Sequence, residues 1–293
     1  SRTMLGQPQL QDLLADLAEA QARGVVWKFV IVPEPIQNLG VAAASDRFEG
    51  YAAERTAILD FITTNGIENV VFVAADIHGT LVNNLKYELG PLQPQLPTTA
   101  WEITTGSVAY DAPFGPTVVQ LAASLGLLTP EEVAFYESLP LPGKEAFLRT
   151  LVDAQLTPLG YDTLGLEGSS VPALLLEGSY TATHSYGWTE FDIAPGTGVL
   201  TVTTWGVEPY SADELLADPE GVISRQPVVV SKFLVQPAGA CLGDSNGDGQ
   251  VNFTDLVDLL AAWGTDSAIH DLDGDGEVTA GDLLILLAAF GAC

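Results

Sequence analysis

The chain has 293 residues, room for one large domain and a small one, and 47% of them are hydrophobic, so a sizeable core is available. Lys and Arg number 10 against 38 Asp and Glu, a net charge of −28, which excludes the basic patches that nucleic acids and anionic membranes require. An acidic surface of this kind fits solubility in a salty or calcium-rich medium. No apolar run reaches the roughly 20 residues of a membrane helix, so no membrane span is expected. The chain opens Ser1-Arg2-Thr3-Met4 without an initiator Met or a visible signal peptide, as a fragment or a processed form would.

Leu10, Leu13, Leu14 and Leu17 recur at helical spacing and predict a helix over 10–21 that Gly24 ends. Val25 to Val32 is a short apolar run rich in β-branched residues, a buried strand stopped by Pro33 and Pro35. A second helix runs from Tyr51 to Thr64 with Ala57, Ile58 and Phe61 inward, and Asn65-Gly66 breaks it. Val70 to Val73 is a second buried strand. Helix, strand, helix, strand with continuously apolar strands predicts a sheet covered on both faces. A further strand occupies 101–110.

From Pro113 to Leu176 the pattern turns helical and irregular, as an insertion or lid would. Thr129-Pro130-Glu131-Glu132 reads as a helix start, with Thr129 as N-cap and Glu132 closing a capping box. Trp188–Ile193 and Val199–Val207 are strands joined by the Pro195–Gly198 hairpin, Val228–Val235 is a last strand, and Pro237–Ala240 is a short linker.

Composition then changes. Asp244 opens DSNGDGQVNFTD, and 27 residues later Asp271 opens DLDGDGEVTAGD. The same offset relates Leu256 to Leu283, Trp263 to Phe290 and Gly264 to Gly291, so the segment is an internal duplication. Each twelve-residue stretch fits a calcium loop, in which six to eight oxygens surround one ion. Positions 1, 3 and 5 supply Asp244, Asn246 and Asp248, or Asp271, Asp273 and Asp275. Gly249 and Gly276 make the sharp turn at position 6. Gln250 and Glu277 offer backbone carbonyls at position 7, Asn252 and Thr279 stand at position 9, and Asp255 and Asp282 close the loops at position 12.

The segment holds nine Asp and Glu277 and neither Lys nor Arg, so its folding is expected to need a cation at each of two sites. Cys241 and Cys293 bracket it, either as free thiols or as a disulfide contributing roughly 4 kcal/mol in an oxidising compartment. His270 beside the second loop reads as structural.

A calcium loop followed by a single helix, duplicated, with Asp at position 12, resembles dockerin modules over residues 243–291. The resemblance implies a calcium-folded, EF-hand-type module on a secreted or cell-surface protein, with a cohesin-like partner. Positions 10 and 11, where such partners are often met, are Phe253-Thr254 and Ala280-Gly281. They lack the common hydroxyl pair, which leaves simple surface attachment as the other reading.

In the body, Asp76 and His78 follow directly on the second strand. Ligands of open α/β sheets bind beyond the carboxyl ends of strands. Asp-x-His there offers a hard oxygen and an imidazole to one metal, both facing the same way if the backbone stays extended; the alternative is ordinary loop polarity. His184 is either a site ligand or acid or a loop histidine, and Asn83, Asn84 and Tyr110 are weaker candidates.

Arg2-Thr3-Met4-Leu5-Gly6, Gln9, Trp27-Lys28, Gly50-Tyr51, Glu54-Arg55 and then Asp76-x-His78 resemble, in this order, PhoD-like (alkaline phosphatase D) phosphatases. The resemblance covers residues 1–110 and, less closely, 184–236. It implies the later part of a metallophosphoesterase domain that hydrolyses phosphate mono- or diesters at a multi-metal centre of iron, calcium or both. Asp76 and His78 are the metal ligands and catalytic residues it assigns, with Ala75 standing where the family has Gly. The other ligands are expected upstream of Ser1.

The chain is thus predicted as α/β. A layered α/β metallophosphoesterase-like sheet domain, incomplete at its N-terminus, occupies residues 1–236 with a helical insertion near 113–176. A small all-α calcium-loop module occupies 241–293. The competing reading is a non-catalytic extracellular attachment protein held by that module, with calcium confined to residues 244–282.

Overall fold

The computed structural model describes residues 2–108, 112–195, 197–239 and 241–292. Tyr110 and Cys293 lie outside the described residues. Cys241 is disulfide-bonded.

The body begins with helix α1 (Gly6–Ala22), strand β1 (Lys28–Val32), helix α2 (Ala52–Thr64) and strand β2 (Val70–Ala74). Strands β3 (Thr80–Tyr87) and β4 (Leu96–Thr104) follow, then helices α3 (Phe114–Ser124), α4 (Pro130–Ser138) and α5 (Leu141–Leu156). Strands β5 (Ala173–Gly178), β6 (Thr181–Ala182), β7 (Tyr186–Ile193) and β8 (Leu200–Val207) come next. Helices α6 (Ala212–Ala217) and α7 (Pro219–Ile223) lead to strand β9 (Val228–Val235).

Two sheets form the body. The first has the order β1-β2-β4-β3-β6, with β1, β2 and β4 parallel and β3 and β6 antiparallel to their neighbours. The second has the antiparallel order β5-β9-β8-β7. Side chains alternate across a strand, so each strand serves two cores. In β2, Val70, Phe72 and Ala74 pack with Leu10 and Leu17 of α1 and Ile58, Leu59 and Ile62 of α2. Its Val71 turns the other way, to Trp101, Val202 and Phe233 between the sheets. The predicted covering of both faces is therefore helices on one side and a second sheet on the other.

Three expectations need correction. Ala57 is exposed, because the inward positions of α2 go to Glu54, Arg55, Ile58, Leu59 and Ile62. Strands β3, β5 and β6 have no counterpart in the sequence reading. The small module also carries a short antiparallel pair, β10 (Gln250–Val251) with β11 (Gly291–Ala292), so it is not purely helical.

That module holds helices α8 (Phe253–Ala261) and α9 (Ala280–Ala288). The duplication is visible in its backbone. Val251 pairs with Gly291, and Gly264 N donates to Val278 O (2.8 Å) at the corresponding positions of the other repeat. Each loop therefore closes on the segment after the other helix. Among the described residues no helix is long and apolar enough to cross a membrane.

Candidate metal centres and their surroundings

The parallel strands β1 and β2 end on the same side of the first sheet, and their exits bring Glu34 and Asp76 to Arg47, with His78 two residues beyond Asp76. Asp76 leaves β2 with φ 66°, a left-handed backbone that Asp tolerates better than most residues. The extended run assumed for Asp76-x-His78 therefore breaks at Asp76. Ile77 turns inward to pack with Leu39 and Phe114.

Arg47 Nε donates to Asp76 Oδ2 at 2.8 Å, and its Nη1 to Ala42 O at 2.7 Å. Glu34, beyond the end of β1, lies 3.8 Å from the same Nε. Burial, then the Asp76 charge, pushes the Glu34 carboxyl up, against the pull of Arg47. Sequence reasoning missed Glu34 and Arg47. The rule that pointed to Asp76, polar residues just beyond a parallel strand, also points to Glu34 after β1.

His78 is half-buried, and its carbonyl accepts Phe114 N at 2.8 Å from the start of α3. Asp76 and His78 are ligands of suitable kinds for a transition metal. Among the described residues neither belongs to a group of three or more carboxylates and imidazoles at ligand spacing. Two protein ligands, one of them ion-paired to Arg47, do not by themselves make a metal site.

His184 is separate from that place. It sits in the turn between β6 and β7, buried, with both ring nitrogens engaged. Nδ1 lies 3.0 Å from Glu145 Oε1 and Nε2 lies 2.7 Å from Tyr136 OH. Glu145 of α5 also accepts Thr183 N (2.7 Å), Thr183 Oγ1 (2.8 Å) and His184 N (3.0 Å). Gly115 lies flat against the imidazole, where an added Cβ would fall 2.3 Å from Cε1. This network ties the helical insertion to the second sheet. A cavity of about 690 Å³ opens beside it, lined by His184, Lys144 and Arg225 among others; Asp76 and His78 do not line it. Asn83 and Asn84 lie inside β3, where Asn84 Nδ2 donates to Asp162 Oδ2 at 2.7 Å.

The two loops of the small module are built alike. In the first, Asp244 Oδ1 accepts Gly247 N (2.7 Å) and Asp248 N (3.0 Å), while Asp244 Oδ2 accepts Gly249 N (2.8 Å). In the second, Asp271 Oδ2 accepts Gly276 N (3.0 Å) and Asp273 Oδ1 accepts Asp275 N (3.1 Å). Gly249 and Gly276 take φ 82° and 94°, as the turn at position 6 requires.

Asp255 and Asp282 are fully buried and close the capping boxes of α8 and α9 through Asn252 N and Thr279 N. The ligand atoms of Asp271, Asp273 and Asp275 all lie within 4.8 Å of one another. Burial first, then Asp282 and the other loop carboxylates, pushes the Asp273 carboxyl up to about 6. An all-oxygen donor set of crowded carboxylates fits a hard divalent cation. In the first loop the amide oxygen of Asn246 takes the middle place. Gln250 and Glu277 are exposed, and His270 Nδ1 meets Ser267 Oγ at 2.9 Å, a local contact.

Residues 1–131 match the family of PhoD-like phosphatases. Residues 242–290 match the Dockerin type I domain. Alkaline phosphatase D of Bacillus subtilis (strain 168) is 30% identical over 94 residues, 29% of this chain and 15% of that protein. A solved structure of PhoD shares 13% identity at a TM-score of 0.46, over 81% of this chain and 34% of that one. The chain thus spans a minor part of each relative.

The PhoD-like match takes in Glu34, Arg47, Asp76 and His78 and stops short of Tyr136, Glu145 and His184. Its motif residues hold one another in place. Glu54 Oε1 accepts Met4 N (3.1 Å) and Leu5 N (2.8 Å), Arg2 stands 4.6 Å over the Tyr51 ring, and Trp27 Nε1 donates to Gly198 O (2.7 Å). The dockerin match takes in both loops, and calcium is the ion typical of such domains.

Proposed function

We propose that the body takes part in metal-assisted hydrolysis of phosphate mono- or diesters. We further propose that the C-terminal module binds two calcium ions and attaches the body to a cohesin-like or cell-surface partner outside the cell. The observation that carries the first reading is the convergence of Asp76 and Glu34 on Arg47 at the exit of parallel strands, with His78 following Asp76, inside the PhoD-like segment. A metal there would polarise a phosphoryl oxygen and lower the pKa of a bound water. Completing such a centre calls for more ligands than Asp76 and His78.

The chain's own contribution is positional. Arg47 holds the Asp76 carboxylate, and Phe114 N holds the His78 backbone. Gly79 lets that segment lie against Thr183 and Phe114, since an added Cβ would sit 3.0 Å from Thr183 Cα and 3.1 Å from Phe114 Cβ.

The second reading, a non-catalytic attachment protein, draws on one observation. Among the described residues the acidic groups gathered at ligand spacing are those of the second calcium loop, not of the body. Metal analysis, after dialysis, of a form of the protein extended to carry the further ligands separates the two. The enzyme reading expects a metal beyond the two calcium ions that disappears in the Asp76→Ala/His78→Ala double variant. Calcium alone, unchanged by that variant, supports attachment only.

A further inference from the structure

The C-terminal module is packed on the body, and its two loops differ in how they take part. The linker is short and fastened: Gln236 N donates to Pro172 O (2.9 Å) and Ala238 N to Asn69 Oδ1 (2.7 Å). Beyond it, Leu242, Val251, Leu259, Leu272, Val278 and Ile285 share one buried cluster with Leu234 of β9 and with Ala194 and Val199 of the turn between β7 and β8. The alternation of β9 explains this. Phe233 and Val235 face the first sheet, so Leu234 faces outward and needs a cover.

The asymmetry lies in the loops. Leu272 belongs to the second loop itself and is 1% exposed in that shared cluster, while Val278 of the same loop has a buried counterpart in the first, Val251 at 2%. The residue matching Leu272 in the first loop is Ser245, which is only half-buried. A Cβ on Gly274 would lie 2.5 Å from Ala194 Cβ, whereas one on the matching Gly247 would meet nothing within 4 Å. The second loop rests on the body and the first stands clear of it at this position.

We propose that calcium in the second loop governs the seating of the module on the body. This rests on the reading of the module as a calcium binder and is independent of the phosphatase reading. Asp271, Asp273 and Asp275 are held at ligand spacing around a loop whose apolar residues form the interface. Removing the cation leaves like charges at that spacing, and their repulsion spreads the loop. Leu272 and Val278 then leave the shared cluster, and the outer face of β5 and β9 loses its cover. Phe253, Trp263 and Phe290 stay exposed on the seated module.

The linkage is reciprocal: if calcium seats the module, weakening the seat weakens calcium at the second loop by the same factor. Calcium titration of the whole chain by calorimetry, compared with Ala194→Arg, tests this without altering a calcium ligand. The expected result is two sites in the unaltered chain, with one weakened about tenfold in the variant and the other unchanged, a coupling of the usual size. Small-angle scattering should show the unaltered chain lengthening when calcium is chelated by EGTA and recovering on its return. Two unchanged affinities, or two equally weakened ones, overturn the proposal, as does an unaltered chain that keeps its dimensions under EGTA. A chain that binds no calcium at all overturns the reading of the module itself.

Discussion

Glu145 shows how much one buried side chain can hold. Its two oxygens accept four hydrogen bonds from Thr183 and His184, and His184 passes the network on to Tyr136. Glu145→Ala strands those donors in the interior, and a loss of about 3–5 kcal/mol in urea unfolding is expected. Glu102 is a different case. Fully buried, it accepts Ile36 N (2.7 Å) and Gln37 N (2.8 Å), yet burial pushes its carboxyl up to about 7. The folded state therefore holds this proton more tightly than the unfolded chain does. The associated stability is present below the ordinary carboxyl range and is lost as pH rises through about 7. Glu102→Gln should flatten that decline, read as unfolding midpoints at pH 5 and pH 8. The calcium-loop residues were legible in the sequence because their partners lie within a dozen positions. Glu145 and Glu102 were not, because their partners lie 38 to 66 residues away.

At the scale of elements, local chemistry was read well where it acts alone. The capping box at Thr129 and Glu132 forms as predicted, with Glu132 N donating to Thr129 Oγ1 at 3.2 Å and Thr129 N to Glu132 Oε2 at 2.8 Å. Thr129→Ala should cost about 1 kcal/mol, measured by chemical unfolding, because a helix donor loses its acceptor. Strands β2, β7, β8 and β9 were legible from their apolar runs or alternation. Strand β3 was not: nearly every residue is buried, so no alternation shows, and Asn83-Asn84 interrupts the apolar run. Asn83 and Asn84 are buried within that strand. The inward face of α2 was misread for a related reason. Glu54 and Arg55 face inward to hold Met4, Leu5 and Ile36, and hydrophobic periodicity passes over such residues.

At the scale of the whole molecule, the chain is a stack of layers: helices, the first sheet, the second sheet, and the small module over part of the outer face of the second. The duplication was legible because the repeat is complete within the chain. The packing of module on body was not, because residues such as Ala194 and Leu234 read as ordinary turn and strand apolars until the cover is seen. The PhoD-like segment was recognisable from motif order, and the structure explains that order by contacts between Arg2 and Tyr51 and between Met4, Leu5 and Glu54. The central claim is that Asp76 and His78 serve phosphate-ester hydrolysis. Its most direct measurement is the rate of nitrophenyl phosphate mono- and diester hydrolysis, in the presence of calcium and iron, for a form of the protein extended to carry the further metal ligands and for its Asp76→Ala/His78→Ala variant. Partners of metal ligands alone are worth about 10–100-fold, so loss of both ligands should remove at least about 100-fold of the rate while the calcium module stays folded. Equal rates in the two extended proteins, or no hydrolysis by the unaltered one, would contradict the account.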